Sequence, residues 1–445
     1  MSEPTPRAAA VHYLGQVLRQ EEPPELLGQT PEFAGLSPAD RQLAFQLVWG
    51  TLRELRLIDA VLDRFCRRPL RHLNILVQNV LRTSAYQLLM LDRVPDYAVV
   101  NEAVTLIKRS YFRKQSGFVN AVLRRVARIQ DVQAYLALDL ATADGLATAY
   151  SHPTFLVQRW LERESPGAVR SWLARSNHPP NHHLVLNPQR MGFDEFLSRC
   201  SDTGLKIVTV HAGLATVEVS GSFTWIQPLI EDGACFVQDL WSHLLVRLIP
   251  PGRYDRILDC CAAPGGKSFS LALRFPDASI MAADVNHGRL LAMQRRAAPL
   301  ELAGGLQLVA ANGLHPPWRR EQFDLVLLDA PCSGTGTLQR NPDLRWKIDL
   351  PKILRLSHLQ SDLLQSAAAL VRPGGMLVYA TCSAEPEENE AVVRSFLRRT
   401  PGSFVAEAPV EFRPGVITSE GYYRTFPAMD SGDGFFGAFL RRIQG

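Results

Sequence analysis

The sequence lacks several features that define other classes of protein. No apolar run reaches the roughly 18 residues that a membrane-spanning helix needs. The stretch MSEPTPRAAA has no charged-then-apolar signal pattern, so we expect a cytoplasmic protein. The 7 cysteines are scattered and include no C-x-x-C pair, which argues against a disulfide framework and against a tetrahedral zinc site. We expect no bound metal, and reduced thiols that are available for chemistry.

Two phosphate-binding patterns are also missing from the most conspicuous turn of the chain. Asp259 to Phe269 reads DCCAAPGGKSF, and its end resembles a Walker A loop. That loop needs a glycine with four residues between it and Gly266, where this chain has Cys261. The dinucleotide fingerprint fails too, because Gly-x-Gly-x-x-Gly is absent and Pro264 lies inside the turn. What remains is a small-residue turn between a strand and a helix, which lets a ligand approach bare backbone.

Length and charge predict a multidomain protein with one basic part. A chain of 445 residues is too long for one hydrophobic core. Residues 1–130 hold 18 Lys and Arg against 12 Asp and Glu, so their net charge of +6 exceeds the +4 of the whole chain. A basic N-terminal module predicts a surface that docks a polyanion. A solvated helical surface without a partner is the alternative on charge alone.

The spacing of apolar residues changes twice along the chain. Residues 40–65 and 74–91 carry apolar side chains at spacings of three and four, which predicts helices, and Asp40 supplies a start signal for the first. From Tyr150 onwards, a helix near Phe155–Arg175 precedes the strand-like runs HHLVLN, LKIVTV and ATVEV. These runs indicate a small α+β module.

The last part of the chain reads as α/β. The apolar runs RILDCC, SIMAADV, LQLVAA, FDLVLLDA and GGMLVYATCS alternate with helical stretches, and YYRTFP and FFGAFLRRI form a closing pair. Strands separated by helices of this length predict a doubly wound, largely parallel sheet. The three domains are predicted at residues 1–140 (all-α), 141–230 (small α+β) and 231–445 (α/β).

The polar residues that follow these strands are the candidates for a site, because parallel sheets bind ligands at the carboxyl ends of their strands. Asp284 follows the second strand, where an acid commonly accepts hydrogen bonds from two ribose hydroxyls, although a helix N-cap is the alternative. Asn312 follows the third strand, where an adenine edge would lie. Asp329 and Cys332 follow the fourth strand and Cys382 the fifth. A lone cysteine is usually a small apolar residue, but two at the ends of neighbouring strands predict a pair with a function.

These residues together favour one cofactor and one kind of chemistry. S-adenosylmethionine suits this set, which consists of a turn that matches no phosphate-binding pattern, an acid placed to bind a ribose, and a position for an adenine edge. A nucleophilic thiol suits methylation of a carbon that is not nucleophilic by itself, such as C5 of a pyrimidine. Attack of a thiolate at C6 makes C5 electron-rich enough to accept a methyl group.

Several stretches of the sequence resemble known families. The stretches DCCAAPGGKS, DAPCSGTG, RNPDLRWK, YATCS with PEEN, and GDGFF resemble the RNA cytosine-C5 methyltransferases of the Sun/Fmu/Nop2 family, in order and in spacing. VVNEAVTLIKRSYFRKQSGFVNAVLRR resembles the NusB family of RNA-binding helical domains. The two resemblances imply a NusB-like domain, a Rossmann-like methyltransferase domain, and methylation of C5 of one cytosine in 16S ribosomal RNA. They also imply that the middle module contacts RNA.

The resemblance assigns roles to individual residues. It implies that Cys382 is the nucleophile that adds to C6 and that Cys332 assists release of the enzyme. It implies that Asp329 contacts the cytosine, and that Arg340 and Lys347 meet RNA phosphate or the target nucleotide. The cofactor site implied by the resemblance consists of Cys261, Ala262, Ala263, Pro264, Gly265, Gly266, Lys267, Asp284, Arg289, Asn312 and Asp329.

Two positions depart from the family pattern, and two alternatives stay open. Asn312 stands where the family usually has aspartate, so the adenine contact would depend on an amide oxygen. Cys260 stands where an apolar residue is usual and is expected to fill the core. One alternative function is the same chemistry on transfer RNA or large-subunit RNA. The other is a non-catalytic RNA-binding scaffold, which the intact cysteines argue against.

Overall fold

The chain divides into two compact units. The computed structural model describes residues 5–19, 30, 33, 35–92, 94–202, 205–221, 223–302, 305–410, 415–426 and 432–444. The helical unit consists of Met1–Pro179 together with Leu338–Lys347, and the sheet unit consists of Pro180–Thr337 together with Ile348–Gly445. The predicted three-part division, with its boundaries at 140 and 230, stays a prediction.

The helical unit is built from amphipathic helices around one central helix. Its helices in the described residues are α1 (Pro6–Leu18), α2 (Pro38–Arg53), α3 (Leu55–Asp63), α4 (Ile75–Met90), α5 (Asp96–Lys108), α6 (Ser116–Val126), α7 (Val132–Leu136), α8 (Ala143–Ala149), α9 (Thr154–Leu161) and α10 (Pro166–Ser176). Every residue of α4 from Val77 to Gln87 is buried, so this helix lies inside the core that α1, α2, α5 and α6 cover.

Two helices that the sequence predicts as continuous are each interrupted. The helix expected over residues 40–65 is α2 followed by α3, with Glu54 between them in a non-helical conformation. The helix expected near Phe155–Arg175 is α9 followed by α10, because Ser165 caps the second helix and accepts a hydrogen bond from Ala168 N at 3.3 Å. Ser-Pro is a start signal, and in both cases the apolar spacing ran on across the break.

The sheet unit begins with a small antiparallel sheet. Its strands are β1 (His182–Leu186), β2 (Lys206–His211), β3 (Thr216–Ser220) and β4 (Cys235–Val237), with α11 (Phe193–Asp202) and α12 (Phe223–Glu231) between them. The strand order is β2-β3-β1-β4, and all pairs are antiparallel. The three predicted strand runs are therefore present, whereas α11, α12 and β4 were not predicted. The contact of this module with RNA stays a prediction.

The large sheet has the predicted doubly wound fold. Its elements are α13 (Leu240–Arg247), β5 (Arg256–Cys260), α14 (Gly266–Arg274), β6 (Ser279–Asp284), α15 (His287–Ala297), β7 (Leu306–Ala310), β8 (Phe323–Asp329), α16 (Leu350–Ala368), β9 (Val371–Thr381), α17 (Glu390–Arg399), β10 (Phe404–Ala406), β11 (Tyr423–Arg424) and β12 (Phe436–Arg442). The order is β10-β12-β9-β8-β5-β6-β7, and β11 pairs with β12. Strands β5 to β9 are parallel, and β12 is antiparallel to β9.

This topology decides where a ligand can bind. The chain moves outward from β5 to β6 and β7 on one side, and to β8 and β9 on the other. Ligands of such sheets bind outside the carboxyl ends of the strands at this reversal of direction. The turn after β5 and the loops after β6, β8 and β9 all lie at that edge. In the parts of the chain that the structure describes, no helix combines the length and the apolar character that crossing a membrane requires.

Candidate active site

The turn after β5 has an unusual backbone that its small residues permit. Cys261 has φ of 58° and Gly265 has φ of 108°, a left-handed conformation that favours glycine. A Cβ at Gly265 would lie 2.6 Å from the ring of Phe269, so this position has no room for a side chain. The turn is tied to the next strand, since Ala262 N donates to Ala283 O at 2.9 Å. The backbone of the turn is thereby fixed close to the mouth of the sheet.

Two predicted cofactor residues hold this turn from the β6 side. The buried Asp284 carboxylate accepts hydrogen bonds from Ala263 N at 3.1 Å and from Asn286 N at 2.8 Å. The Arg289 guanidinium donates to Ala263 O at 2.7 Å. The structure thus brings Asp284, Arg289 and the turn together, and each carboxylate oxygen keeps a second lone pair that a ribose hydroxyl can use.

Asn312 lies at the mouth of β7, but its side-chain oxygen already accepts a hydrogen bond from a nearby backbone N–H group. Its side chain is exposed, and its Oδ1 accepts a hydrogen bond from Leu314 N at 3.0 Å. This bond closes a turn of the kind that asparagine commonly makes. The adenine contact predicted for Asn312 stays a prediction.

A buried carboxylate that was not among the predicted site residues lies under the turn. Asp259 is fully buried, and its Oδ2 accepts a hydrogen bond from Ser268 Oγ at 2.5 Å. Its Oδ1 has no hydrogen-bond partner among the described residues. Burial, with Asp329 and Asp284 nearby, raises the pKa of Asp259 to about 7, although the Ser268 bond opposes the rise. Its place could have indicated it, because this acid lies one residue before the end of β5, next to the turn.

Lys267 and Asp329 form the central ion pair of the site. Lys267 Nζ lies 2.7 Å from Asp329 Oδ2, and the lysine side chain is buried while the aspartate is about one-third exposed. The ammonium also lies over the ring of Phe435, 5.3 Å from its centroid. Burial alone would lower the pKa of Lys267, but attraction by Asp329, and then by Cys382, leaves it raised. Lys267 therefore stays cationic in a site that contains several acids.

The two predicted catalytic cysteines meet at the mouths of β8 and β9. Cys332 Sγ and Cys382 Sγ are 3.1 Å apart, and both are free thiols. The hydrogen bond with Cys382, then burial, raises the pKa of Cys332 well above its ordinary value. Burial also raises the pKa of Cys261 to about 12 and raises the pKa of Cys260 well above its ordinary value. The adjacent thiols of the turn are therefore unsuited to act as nucleophiles, as the sequence analysis expected of Cys260.

The RNPDLRWK segment belongs to the helical unit, which the sequence did not predict. Arg345 is fully buried there and donates to Ser176 O at 2.6 Å, to Arg53 O at 3.0 Å and to Asn177 Oδ1 at 2.8 Å. Burial lowers the pKa of Arg345 to about 9. The neighbouring Lys347 lies 3.0 Å from Asp343 Oδ2. The contact of Arg340 and Lys347 with RNA stays a prediction.

The donor set of the site fits S-adenosylmethionine. Asp259, Asp284 and Asp329 put three carboxylates around the turn, and the unpartnered oxygen of Asp259 is a buried acceptor for a cationic group. A cofactor with a sulfonium and an ammonium group complements this excess of negative charge. Asp284 would hold the ribose, and the backbone of the turn would approach the rest of the cofactor.

The fold and this site together define an S-adenosylmethionine-dependent methyltransferase. Residues 246–441 match the family described as 16S rRNA methyltransferase RsmB/F, and residues 4–128 match the NusB family. The chain belongs to the RsmB/F family, with a NusB domain in its N-terminal part, and is an RNA methyltransferase.

Relatives support this assignment over nearly the whole chain, and solved structures share its fold. "Ribosomal RNA small subunit methyltransferase B" from Cronobacter sakazakii is 32% identical over 91% of this chain and 91% of its own length. The protein of the same name from Vibrio cholerae is 31% identical over 87% and 89%. The crystal structure of PH0851 superimposes with a TM-score of 0.81 at 23% identity, covering 97% of this chain and 98% of that chain. NSun6 from Pyrococcus horikoshii, solved with SFG, gives 0.58 at 19% identity over 65% and 97%.

Proposed function

We propose that the protein methylates C5 of a cytosine in 16S ribosomal RNA through a covalent bond between Cys382 and C6 of the base. One observation carries the proposal: the sulfurs of Cys332 and Cys382 lie 3.1 Å apart beside the ion pair of Lys267 and Asp329. Enzymes that methylate amines need no thiol, whereas activation of C5 needs a nucleophile at C6. The names of the relatives from Cronobacter sakazakii and Vibrio cholerae support small-subunit ribosomal RNA as the substrate.

Cys382 and Cys332 have different tasks in this reaction. The Cys382 thiolate bonds to C6, and the electron pair of the C5–C6 bond becomes available at C5. S-adenosylmethionine supplies the methyl group that C5 accepts. Cys332 assists the reversal, in which a base accepts the proton from C5, the C5–C6 double bond forms again, and the bond between Cys382 and C6 breaks to return the Cys382 thiolate. Asp329, held by Lys267, contacts the polar edge of the cytosine and helps to stabilise the adduct.

The electrostatics of the pair support this division of roles. The hydrogen bond to Cys382 keeps Cys332 protonated, because it raises the pKa of Cys332. Attraction by Cys382 helps to raise the pKa of Lys267, which favours a negative charge on this sulfur. A thiol hydrogen-bonded to a thiolate would give the pair one nucleophile and one proton carrier.

A basic groove of the helical unit supports RNA binding. The groove lies between α5 and α6, and it has a volume of about 400 Å³ with Arg124, Arg128, Asn101 and Asn120 in its lining. Tyr97 also lines it and is 78% exposed. Arginines bind phosphates, and an exposed aromatic ring can stack on an unpaired base. We assign the groove to the RNA substrate.

Transfer of labelled methyl groups to undermethylated small-subunit RNA tests the function. Cys382→Ala is expected to abolish transfer, and Cys332→Ala is expected to accumulate a covalent protein–RNA adduct that resists denaturation. The opposite outcomes would reverse the two roles. Absence of transfer by the wild-type protein, with the cofactor shown to be bound, would support a non-catalytic scaffold. Mapping the modified base in RNA from a deletion strain separates 16S ribosomal RNA from transfer RNA and large-subunit RNA.

A further inference from the structure

A buried carboxylate joins the two loops that carry the cysteines. Glu388 is fully buried, and its Oε1 accepts a hydrogen bond from Ser333 N at 2.8 Å. Its Oε2 accepts hydrogen bonds from the hydroxyls of both Ser333 and Ser383. Ser333 directly follows Cys332 and Ser383 directly follows Cys382. One carboxylate therefore holds the residue after each thiol.

Two further hydrogen bonds fix Glu388, one at its carboxylate and one at its backbone carbonyl. Gln360 of α16 donates through Nε2 to Glu388 Oε1 at 3.0 Å and to Pro331 O at 2.9 Å. Tyr379 of β9 donates through its hydroxyl to Glu388 O at 2.5 Å. The loop before Cys332, helix α16 and strand β9 thus meet at this residue. A side chain with this many ties has little freedom to move relative to either thiol.

Burying the Glu388 carboxylate costs free energy, which is explained if this residue serves a purpose beyond stability. Burial raises the pKa of Glu388, although the hydrogen bonds from Ser333, Ser383 and Gln360 oppose the rise. Replacing a buried charged group by well-packed apolar residues is often neutral or stabilising. A carboxylate is nevertheless well suited to this place, because it accepts several hydrogen bonds from two loops at one point.

We propose that Glu388 is a positioning residue that sets the separation of the Cys332 and Cys382 sulfurs by holding Ser333 and Ser383 on a single carboxylate. The inference deepens the proposed function, since it assumes that both thiols take part in the reaction. Its hydrogen bonds go to the serines, to Gln360 and to Tyr379, so Glu388 acts through the loops and not on the substrate.

The test measures the separation of the thiols without turnover. Phenylarsine oxide bridges two adjacent thiols, forming two arsenic–sulfur bonds with release of one water molecule. Titration of the full-length wild-type protein is expected to show tight binding that is lost in Cys332→Ala, which corrects for the other cysteines. Glu388→Ala is expected to weaken binding by about tenfold or more, because bidentate binding depends on the effective concentration of the second thiol. Glu388→Gln retains hydrogen-bonding atoms at the same place and is expected to bind within about threefold of wild type.

Steady-state methylation gives an independent readout. Displacement of a reacting group by 1 Å can cost about 10²-fold in rate, so we expect Glu388→Ala to lower kcat by up to about this factor. The KM for RNA should change by less than about threefold, because Glu388 does not contact the substrate. Glu390→Gln is the matched control, since this neighbouring acid pairs with Arg424 at 3.6 Å, and it should match wild type in both assays.

The outcomes separate this inference from the proposed function. Wild-type arsenical affinity in folded Glu388→Ala would overturn the positioning role, whatever the enzyme methylates. Absence of C5 methylation with the predicted arsenical pattern would leave the positioning role and remove the proposed reaction. If Glu388→Ala does not fold, the double variant Ser333→Ala/Ser383→Ala carries the test, because it cuts the side-chain ties and keeps the carboxylate. Wild-type arsenical affinity in that variant overturns the inference.

Discussion

Replacing Asp259 by asparagine should change how the stability of the sheet unit depends on pH. The carboxylate is fully buried, and within the described residues only Ser268 donates to it, while Oδ1 has no hydrogen-bond partner. Burial raises its pKa from 3.8 to about 7. The difference between these pKa values corresponds to about 4 kcal/mol of unfolding free energy.

The sign of the effect follows from the direction of the pKa change. The folded state binds the Asp259 proton more tightly than the unfolded chain does. Its contribution to stability is therefore complete below pH 3.8 and is lost as the pH rises through about 7. Asparagine is neutral throughout, keeps an acceptor for Ser268, and leaves one buried amide donor unpaired at a cost of about 1–3 kcal/mol. Asp259→Asn should thus be less stable than wild type near pH 4 and more stable, by about 2 kcal/mol, near pH 8.

The measurement must report on the sheet unit alone. Wild type and variant are equilibrated in urea at about pH 4 and about pH 8, pulse-labelled with deuterium at one common pH, and analysed for the peptides of β5 and β6. Asp277→Asn removes an exposed acid of the same unit, and its curve should run parallel to that of wild type. A parallel curve for Asp259→Asn would refute the reasoning. Calorimetry adds a second check, since S-adenosylmethionine should bind about tenfold more weakly if the unpartnered oxygen faces a cationic group of the cofactor.

Two further predictions concern the helical unit. Arg345→Met leaves several buried carbonyls without their donor and should lower the unfolding free energy of this unit by about 3–5 kcal/mol, measured by urea unfolding. Exposed Arg113→Met is its control, and a loss as small as in the control would contradict the buried role. Arg124→Ala combined with Arg128→Ala should weaken RNA binding about tenfold at low salt and reduce the salt dependence by one to two phosphate contacts, roughly. Arg170→Ala, an exposed control that does not line the groove, should leave both unchanged.

The strands were predictable because their sequences carry a clear apolar signal. Most of the runs that became β5 to β9 are apolar on both faces, which is typical of a parallel sheet covered by helices, although β7 carries exposed Gln307. The breaks at Glu54 and at Ser165 were missed for a physical reason. Apolar spacing reports which face of a helix is buried, and it continues when the next helix buries the same face. A capping side chain marks the break at Ser165, whereas Glu54 makes no side-chain capping hydrogen bond.

The convergence of Cys332 and Cys382 could be predicted from topology. Both follow strands of a parallel sheet, and β8 pairs directly with β9, so their loops had to meet. Glu388 could not be found in this way. It lies after β9 in sequence, and nothing in the spacing shows that its side chain turns back to bind Ser333, which is 55 positions earlier. Long-range hydrogen bonds of this kind become visible only when the loops are in place.

Arg345 shows where charge fails as a guide to function. The segment RNPDLRWK is rich in cations, and net charge favours an RNA contact for any of them. The structure buries Arg345 and directs its guanidinium at carbonyl oxygens of the helical unit, while the adjacent Trp346 donates through Nε1 to Leu52 O at 2.9 Å. A charged side chain needs only to be solvated or paired. An arginine beside a tryptophan in a short loop can satisfy that requirement without binding RNA. The N–H donors of its guanidinium can bind backbone carbonyls at the place where the tryptophan ring packs.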